Sequence, residues 1–171
     1  FSDDNKLSQR SLSSGRSYCV SRDLATQTTY IGASNGLLQK KLNGSPSPVK
    51  YQGEFVSAIS TAQDANQLFL GTRKQGVLIV NGGKITRQIP FDGSIRKLEC
   101  YGKYLFVLTN RALFRVKKDG SQKEQLNRTN GLFFDYISSF HIAKNQLYVT
   151  NSKSVQFISL EQLSFESCEI P

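Results

Sequence analysis

The sequence predicts an all-β protein with the architecture of a β-propeller, and three observations favour this fold. A unit of about forty residues recurs four times, each unit holds short runs of β-branched and aromatic residues, and Gly, Asn and Asp turn signals separate those runs. This period and strand content are typical of one propeller blade. We therefore expect about four blades of four-stranded antiparallel sheet, as part of a larger propeller. A β-sandwich or barrel, which also spaces short strands evenly, is the alternative.

The repeat is clearest at three consecutive positions. The first holds an aromatic residue, the second an aliphatic residue, and the third is glycine in the first two units. Its aromatic positions are Tyr30, Phe69, Phe106 and Tyr148, and its third positions are Gly32, Gly71, Leu108 and Thr150, spaced by 39, 37 and 42 residues. Glycine at the first two third positions indicates a strand end so crowded that a side chain does not fit. Leu108 and Thr150 replace that glycine, so the last two units are expected to pack differently there.

The second unit shows how each unit divides into strands. Residues 56–60, 67–72, 77–80 and 84–89 form four short β-prone runs, and Asn81-Gly82 between the last two is a two-residue hairpin signal.

Applied to the whole chain, this division predicts five segments. They are the outer strand and linker of a preceding blade at 1–16, then blades at 17–53, 54–93, 94–134 and 135–171. Because residues 6–12 and 165–170 both resemble outer strands, four blades would have five of them. A closed four-blade ring needs four, so we expect an arc that meets the remaining blades of a parent protein or a second copy of itself. The alternative is that residues 6–12 form no strand and the four blades close alone.

Charge favours an anionic partner without identifying one. The 171 residues carry 22 Lys and Arg against 13 Asp and Glu, a net charge of +9. The basic residues are dispersed in pairs, which we interpret as solvated surface charge, and no nucleic-acid-binding module is recognisable. We therefore expect weak, salt-dependent binding of polyanions and no specific nucleic-acid partner.

Catalytic and metal-binding patterns are missing from the sequence. The single histidine, His141, lies between apolar neighbours, and there is no Gly-x-Ser-x-Gly, P-loop or EF-hand pattern. Cys19, Cys100 and Cys168 are widely spaced and form no Cys-x-x-Cys pair. We expect a protein that is not an enzyme and has no cofactor or metal. Buried free thiols are the expected state of the cysteines, with a Cys19–Cys168 disulfide as the alternative.

Several segments together resemble the two-component regulator propeller repeat. Tyr30-Ile31-Gly32 with Asn35-Gly36-Leu37, and Leu70-Gly71-Thr72 with Gly76-Val77, match its core, and Asn130-Gly131-Leu132 matches its entry. The resemblance spans about residues 12–160, although Trp is absent from the aromatic position and the Asp-x-x-Gly turn is eroded. It implies the sensor propeller of a membrane-anchored histidine kinase, often a hybrid one, on the periplasmic or extracytoplasmic side, with a carbohydrate ligand. The alternative function is a non-catalytic scaffold propeller that binds other proteins.

Candidate ligand-binding residues lie in the loops that a propeller gathers at one end. They are Asn35, Arg73, Lys74, Asn110 and Arg111 in turns between second and third strands, and Asn130, Phe133 and Asp135 in the linker before the last unit. Arg and Asn donors beside exposed aromatic rings suit a carbohydrate or an acidic oligosaccharide. The alternative is that these are ordinary polar turns and that Phe133 and Phe134 pack between blades.

Overall fold

A computed structural model describes residues 16–41, 47–48, 55–62, 67–161 and 163. The predicted outer strands at 6–12 and 165–170, and Cys168, lie outside these residues. The described strands are β1 (Ser17–Asp23), β2 (Thr28–Ala33), β3 (Gly36–Lys41), β4 (Ser47–Pro48), β5 (Val56–Ala62), β6 (Gln67–Thr72), β7 (Val77–Asn81), β8 (Lys84–Ile89), β9 (Ile95–Tyr101), β10 (Tyr104–Thr109), β11 (Leu113–Lys117), β12 (Lys123–Leu126), β13 (Ser139–Ala143), β14 (Gln146–Thr150) and β15 (Val155–Ser159).

These strands form four antiparallel sheets in chain order, which confirms the predicted fold class. The first sheet is β1–β4, the second β5–β8, the third β9–β12 and the fourth β13–β15. Each sheet is a meander that begins at its innermost strand. The only helical element among the described residues is a 3₁₀ turn at Arg128–Asn130, in the linker between the third and fourth sheets.

Turn chemistry sets the hairpin registers. Gly82 and Gly83, with φ of 55° and 78°, join Asn81 to its partner Lys84, as a two-residue turn with positive φ at both positions requires. Lys144 and Asn145 adopt similar positive φ values, 48° and 61°, between β13 and β14.

Three buried clusters, one between each pair of consecutive sheets, make up the core. Leu37 and Leu70 belong to the first cluster, Phe69 and Leu105 to the second, and Phe106 and Phe140 to the third. The second and third sheets are therefore covered on both faces. Within the described residues no buried cluster joins the fourth sheet to the first, and the outer faces of these end sheets expose Val20 and Phe157. The four sheets thus form a partial β-propeller.

Short side chains tie the innermost strands of the second and third sheets together. The Ser57 hydroxyl donates to the Ile95 carbonyl at 2.5 Å, and the Cys100 amide donates to the Ser60 hydroxyl at 3.1 Å. Because early residues of β5 meet early residues of β9, and late residues meet late ones, the two strands run parallel. The β1–β2, β9–β10 and β13–β14 hairpins therefore lie at one end of the arc, which we call the hairpin end. The turns between second and third strands, and the linkers between sheets, lie at the other, which we call the loop end.

The crowding predicted at the repeated glycines is present. A Cβ on Gly71 would lie 2.5 Å from Ile95 Cγ2 and 2.9 Å from Ile95 Cβ, in the next sheet. At Gly32 it would lie 2.8 Å from the Val56 carbonyl oxygen. Each glycine lies in the second strand of its sheet. It therefore lets the innermost strand of the following sheet approach that second strand closely.

Replacing Gly71 by alanine should lower the free energy of unfolding by about 1–3 kcal/mol, because the new methyl group overlaps Ile95. Urea denaturation of the two proteins measures the difference. Gly102→Ala is the control: no atom lies within 4 Å of its added Cβ, and its φ of +51° leaves only backbone strain, about 1 kcal/mol. An equal loss in both variants would mean that crowding is not what selects glycine at position 71.

Candidate functional site

The loop end brings each turn between a second and third strand against the linker that precedes the same sheet. The Arg73 amide donates to the Phe55 carbonyl at 3.2 Å, and the Asn110 amide donates to the Ser94 carbonyl at 3.0 Å. The predicted site residues Asn35, Arg73, Lys74, Asn110 and Arg111 lie in these turns, and Asn130, Phe133 and Asp135 lie in the linker after β12. All eight are therefore at the same end of the arc, and their role in ligand binding stays a prediction.

Threonine at the end of the second strand shapes two of these turns. The Thr72 hydroxyl accepts from the Gln75 amide at 2.9 Å and donates to the Gly76 carbonyl at 2.9 Å. Thr109 repeats this arrangement with the Arg111 and Ala112 amides, each 3.0 Å away. The hydroxyl satisfies backbone groups that the tight turn leaves unpaired. The side chains of Arg73 and Arg111 are therefore held at exposed turn positions.

Arg73 belongs to a cluster of aromatic rings and a cation, which we call the Arg73 cluster. Its guanidinium carbon lies 5.7 Å from the centroid of the Phe55 ring, and the Tyr18 ring lies 4.4 Å from Phe55, tilted by 41°. Tyr18 is 43% exposed and Phe55 is half-buried. Sequence reasoning selected Arg73 but missed both rings, because they come from β1 and from the linker before β5, and no repeated motif marks them.

Arg111 and Asn110 contact the linker between the second and third sheets. Arg111 Nη1 pairs with Asp92 Oδ2, and both side chains are mostly exposed, so the ion pair contributes little to stability. Asn110 lies against Gly93, where an added Cβ would overlap its side-chain oxygen. The pair places a guanidinium at the surface with its charge partly compensated.

In the linker after β12, the predicted residues have different surroundings. Asn130 Nδ2 donates to Glu124 Oε1 at 3.2 Å and to the Gln125 carbonyl at 3.0 Å, and its Oδ1 accepts from the Asn127 amide at 2.6 Å. Asn130 therefore closes the capping box of the 3₁₀ turn.

Phe133 and Asp135 remain at the surface of the same linker. Asp135 Oδ2 lies 3.3 Å from Arg128 Nε. The Phe133 ring is 76% exposed and does not pack between sheets, whereas Phe134 packs against the third core cluster. Phe133 is thus available for stacking on a ligand.

His141 links the third and fourth sheets. Its Nδ1 lies 3.0 Å from Glu99 Oε1, and the same carboxylate group meets Lys97 Nζ at 2.9 Å and accepts from the Ile142 amide at 2.8 Å. These contacts join β9 to β13 and explain His141 as a structural residue. No group of three metal-ligating side chains that could hold a metal ion lies within the described residues.

Comparison with known proteins identifies the fold and not the family. No family model matches the chain, and no curated protein matches it. Solved structures do match. The extracellular domain of a hybrid two-component system from B. thetaiotaomicron superposes with a TM-score of 0.68 at 15% identity, over 85% of this chain and 22% of that one. The β-propeller domain of Cps50 (Swd1) from Myceliophteria thermophila gives 0.72 at 14% identity, over 89% and 54%. The WD40 repeats of RRP9 give 0.72 at 10% identity, over 89% and 50%.

These matches therefore include both extracellular domains of two-component systems and WD40 propellers. At such low identity they support the propeller fold alone. The chain spans from about a fifth to just over half of the length of these structures. Among the residues that the structure describes, no helix has the length and apolar character needed to cross a membrane.

Cys19 and Cys100 are free thiols. Burial raises the pKa of Cys19 from 9.0 to about 11, and its Sγ lies 3.9 Å from the Val56 carbonyl in the next sheet. A raised pKa disfavours the thiolate, so Cys19 is a packing residue rather than a nucleophile.

We expect Cys19 to react with a thiol reagent about a hundredfold more slowly at pH 8 in the folded protein than in urea, because two pKa units lower the thiolate fraction by that factor. The measurement uses the Cys100→Ser, Cys168→Ser variant. Since the folded pKa is the higher one, this group stabilises the fold fully below pH 9, and that contribution falls as the pH rises toward 11. Equal reaction rates in the folded and unfolded states would contradict burial of the thiol.

Proposed function

We propose that this chain is a segment of a ligand-sensing propeller from the extracytoplasmic part of a membrane-anchored two-component sensor histidine kinase. In this proposal the loop end binds an acidic oligosaccharide, the segment catalyses no reaction, and signalling belongs to the parent protein. The repeat resemblance and the likeness to extracellular domains of two-component systems support the sensor context.

The proposed ligand class rests on the Arg73 cluster. Tyr18, which is 43% exposed, offers apolar ring surface of the kind on which sugar rings stack, and its hydroxyl can hydrogen-bond at the edge of such a contact. The Phe55 ring packs against both Tyr18 and Arg73 and holds these two side chains side by side. The planar guanidinium of Arg73 can grip a carboxylate with two parallel N–H donors. A sugar with a carboxylate substituent satisfies both features at once.

The remaining loop-end charges favour the same ligand class. Among the described residues, five arginines and two lysines lie in the turns and linkers or within two residues of them; they are Arg16, Arg73, Arg96, Arg111, Arg128, Lys74 and Lys153. Among the described residues of these turns and linkers, the acidic side chains of Asp92 and Asp135 are each paired with one of those arginines. A positive field therefore surrounds the cluster and attracts an anionic oligomer.

A scaffold that binds protein is the second candidate, and the outer faces of the end sheets favour it. Val20 is 70% exposed on the first sheet, and Val155 and Phe157 are 64% and 66% exposed on the fourth. Exposed apolar patches of this kind mark association surfaces. Further blades of a parent protein or a second copy of the chain are the partners that this candidate requires.

Titration of the chain with oligogalacturonate should show saturable binding, and the uncharged malto-oligosaccharides should not bind. Arg73→Ala should weaken the affinity at least tenfold, through loss of the bidentate contact, and Tyr18→Ala should weaken it by a similar factor through loss of stacking. Isothermal calorimetry gives the affinities, and backbone amide shifts locate the site.

Lys118→Ala, at the hairpin end, is the matched control and should leave the affinity unchanged. Equal binding of neutral and acidic sugars would exclude a carboxylate-reading role for Arg73. Absence of sugar binding, together with concentration-dependent association that Phe157→Asp abolishes, would favour the scaffold function.

A further inference from the structure

We propose that the hairpin end is a docking surface for an anionic lipid bilayer. This surface consists of the ends of the strands and the turns opposite the loop end, and it does not depend on which ligand the loop end takes. Among the described residues, its basic members include Arg22, Lys40, Lys41, Lys84, Lys103, Lys117, Lys118 and Lys144, and its acidic members include Asp23, Asp119 and Glu161.

These three acidic side chains accept hydrogen bonds from turns of the same surface. Asp23 accepts from the Ala25 amide at 2.9 Å and the Thr26 hydroxyl at 2.7 Å. Asp119 accepts from the Ser121 amide at 2.8 Å, and Glu161 accepts from the Asn145 side chain at 2.8 Å. Within the described part of the chain, none of the seven lysines is in a salt bridge. The eight basic side chains outnumber these three carboxylates, so the described part of this end keeps a net positive charge.

The two ends of the arc differ in the kind of cation they carry. Among the described residues, arginine predominates at the loop end, whereas seven of the eight basic residues named above for the hairpin end are lysine. Arginine binds planar anions through two parallel N–H groups and so selects them by geometry. Lysine is a hydrated point charge on a flexible stem and attracts anions by charge alone. A lysine-rich surface suits a partner that is recognised by charge density rather than by geometry, such as the headgroup layer of anionic phospholipids.

Folding concentrates lysines that are apart in the sequence. The Lys118 amide donates to the Lys103 carbonyl at 3.0 Å, which joins the β11–β12 turn to the β9–β10 turn. Lys103, Lys117 and Lys118, with Gly102 and Asp119, line a shallow depression of about 540 Å³. Arg87 of the neighbouring sheet reaches the rim, where its Nη1 donates to the Asp119 carbonyl. Such a depression accommodates a phosphate group among several ammonium groups.

Apolar side chains project from the same surface. Leu24 in the β1–β2 turn is 67% exposed, and Ile85, next to the Gly82-Gly83 turn, is 47% exposed. Apolar side chains that flank lysines insert into the headgroup–acyl boundary, while the lysine stems extend along it. Charge brings the surface to the bilayer, and these side chains add contacts that salt does not screen.

Sedimentation with vesicles tests the proposal on the full chain. Vesicles of phosphatidylcholine containing about a third phosphatidylglycerol should bind the chain at low salt, vesicles of phosphatidylcholine alone should not, and high salt should release it. The triple variant Lys103→Gln, Lys117→Gln, Lys118→Gln should lower the partition coefficient about a hundredfold. Each lysine near an anionic surface contributes a similar share of the binding free energy, and the loss of three such shares gives that factor.

The matched control carries the same loss of charge at the loop end: Arg73→Gln, Lys74→Gln, Arg111→Gln. It should retain vesicle binding, and circular dichroism should show both triple variants folded. Equal loss in the two variants, or no preference for phosphatidylglycerol, would overturn the proposal. Tighter binding to heparin or duplex DNA than to vesicles, lost in the lysine triple variant, would also overturn it and assign the surface to a different polyanion. Oligogalacturonate binding that survives in the lysine triple variant keeps this result separate from the loop-end function.

Discussion

The close approach of neighbouring innermost strands is the constraint on which the rest of the structure depends. At Gly32 and Gly71 the next sheet lies so near that a methyl group would overlap it. Each innermost strand is the edge strand of its own sheet, and within the described residues its other edge forms no ladder with the neighbouring sheet. Serine side chains therefore take up the backbone groups that face the neighbour, as Ser57 and Ser60 do. The parallel alignment that results gives the arc two ends of different chemistry.

This separation of ends makes a division of function possible. Turns at the loop end lie against linkers from the preceding sheet, so side chains from distant parts of the chain meet there, as Arg73 meets Phe55 and Tyr18. Turns at the hairpin end join adjacent strands of one sheet and mostly present their own residues. The loop end holds a composite site of aromatic rings and arginine in the Arg73 cluster, whereas the hairpin end offers repeated turns rich in lysine. The charge of the chain is therefore organised by topology, although it looks dispersed along the sequence.

The sequence was sufficient to predict the sheets because each repeat carries its own strand and turn signals. It also predicted the crowded glycines and the end at which the site residues gather, since these follow from position within the repeat. Partners across sheets could not be predicted. Tyr18 and Phe55 meet only after β1 and β5 are placed side by side, and Lys103 meets Lys118 only through the pairing of two turns. Asn130 was selected for its exposed-loop context, but its amide has short-range backbone partners, and such a capping role depends on local geometry that the motif does not encode.

The third interface shows what happens when the repeated glycine is lost. Leu108 occupies the position of Gly71 and is buried in the cluster shared by the third and fourth sheets, so its side chain separates strands that glycine would let approach. Serine is too short to cross that gap. In its place Lys97 Nζ donates to the Phe140 carbonyl at 2.5 Å, Arg96 Nη2 donates to the Ser138 carbonyl at 3.2 Å, and Glu99 accepts from the Ile142 amide. Long charged side chains thus join the innermost strands of the third and fourth sheets, as short serine hydroxyls join those of the second and third sheets. The wider spacing between these two innermost strands, which follows from Leu108, therefore also accounts for the cluster of charged residues around His141.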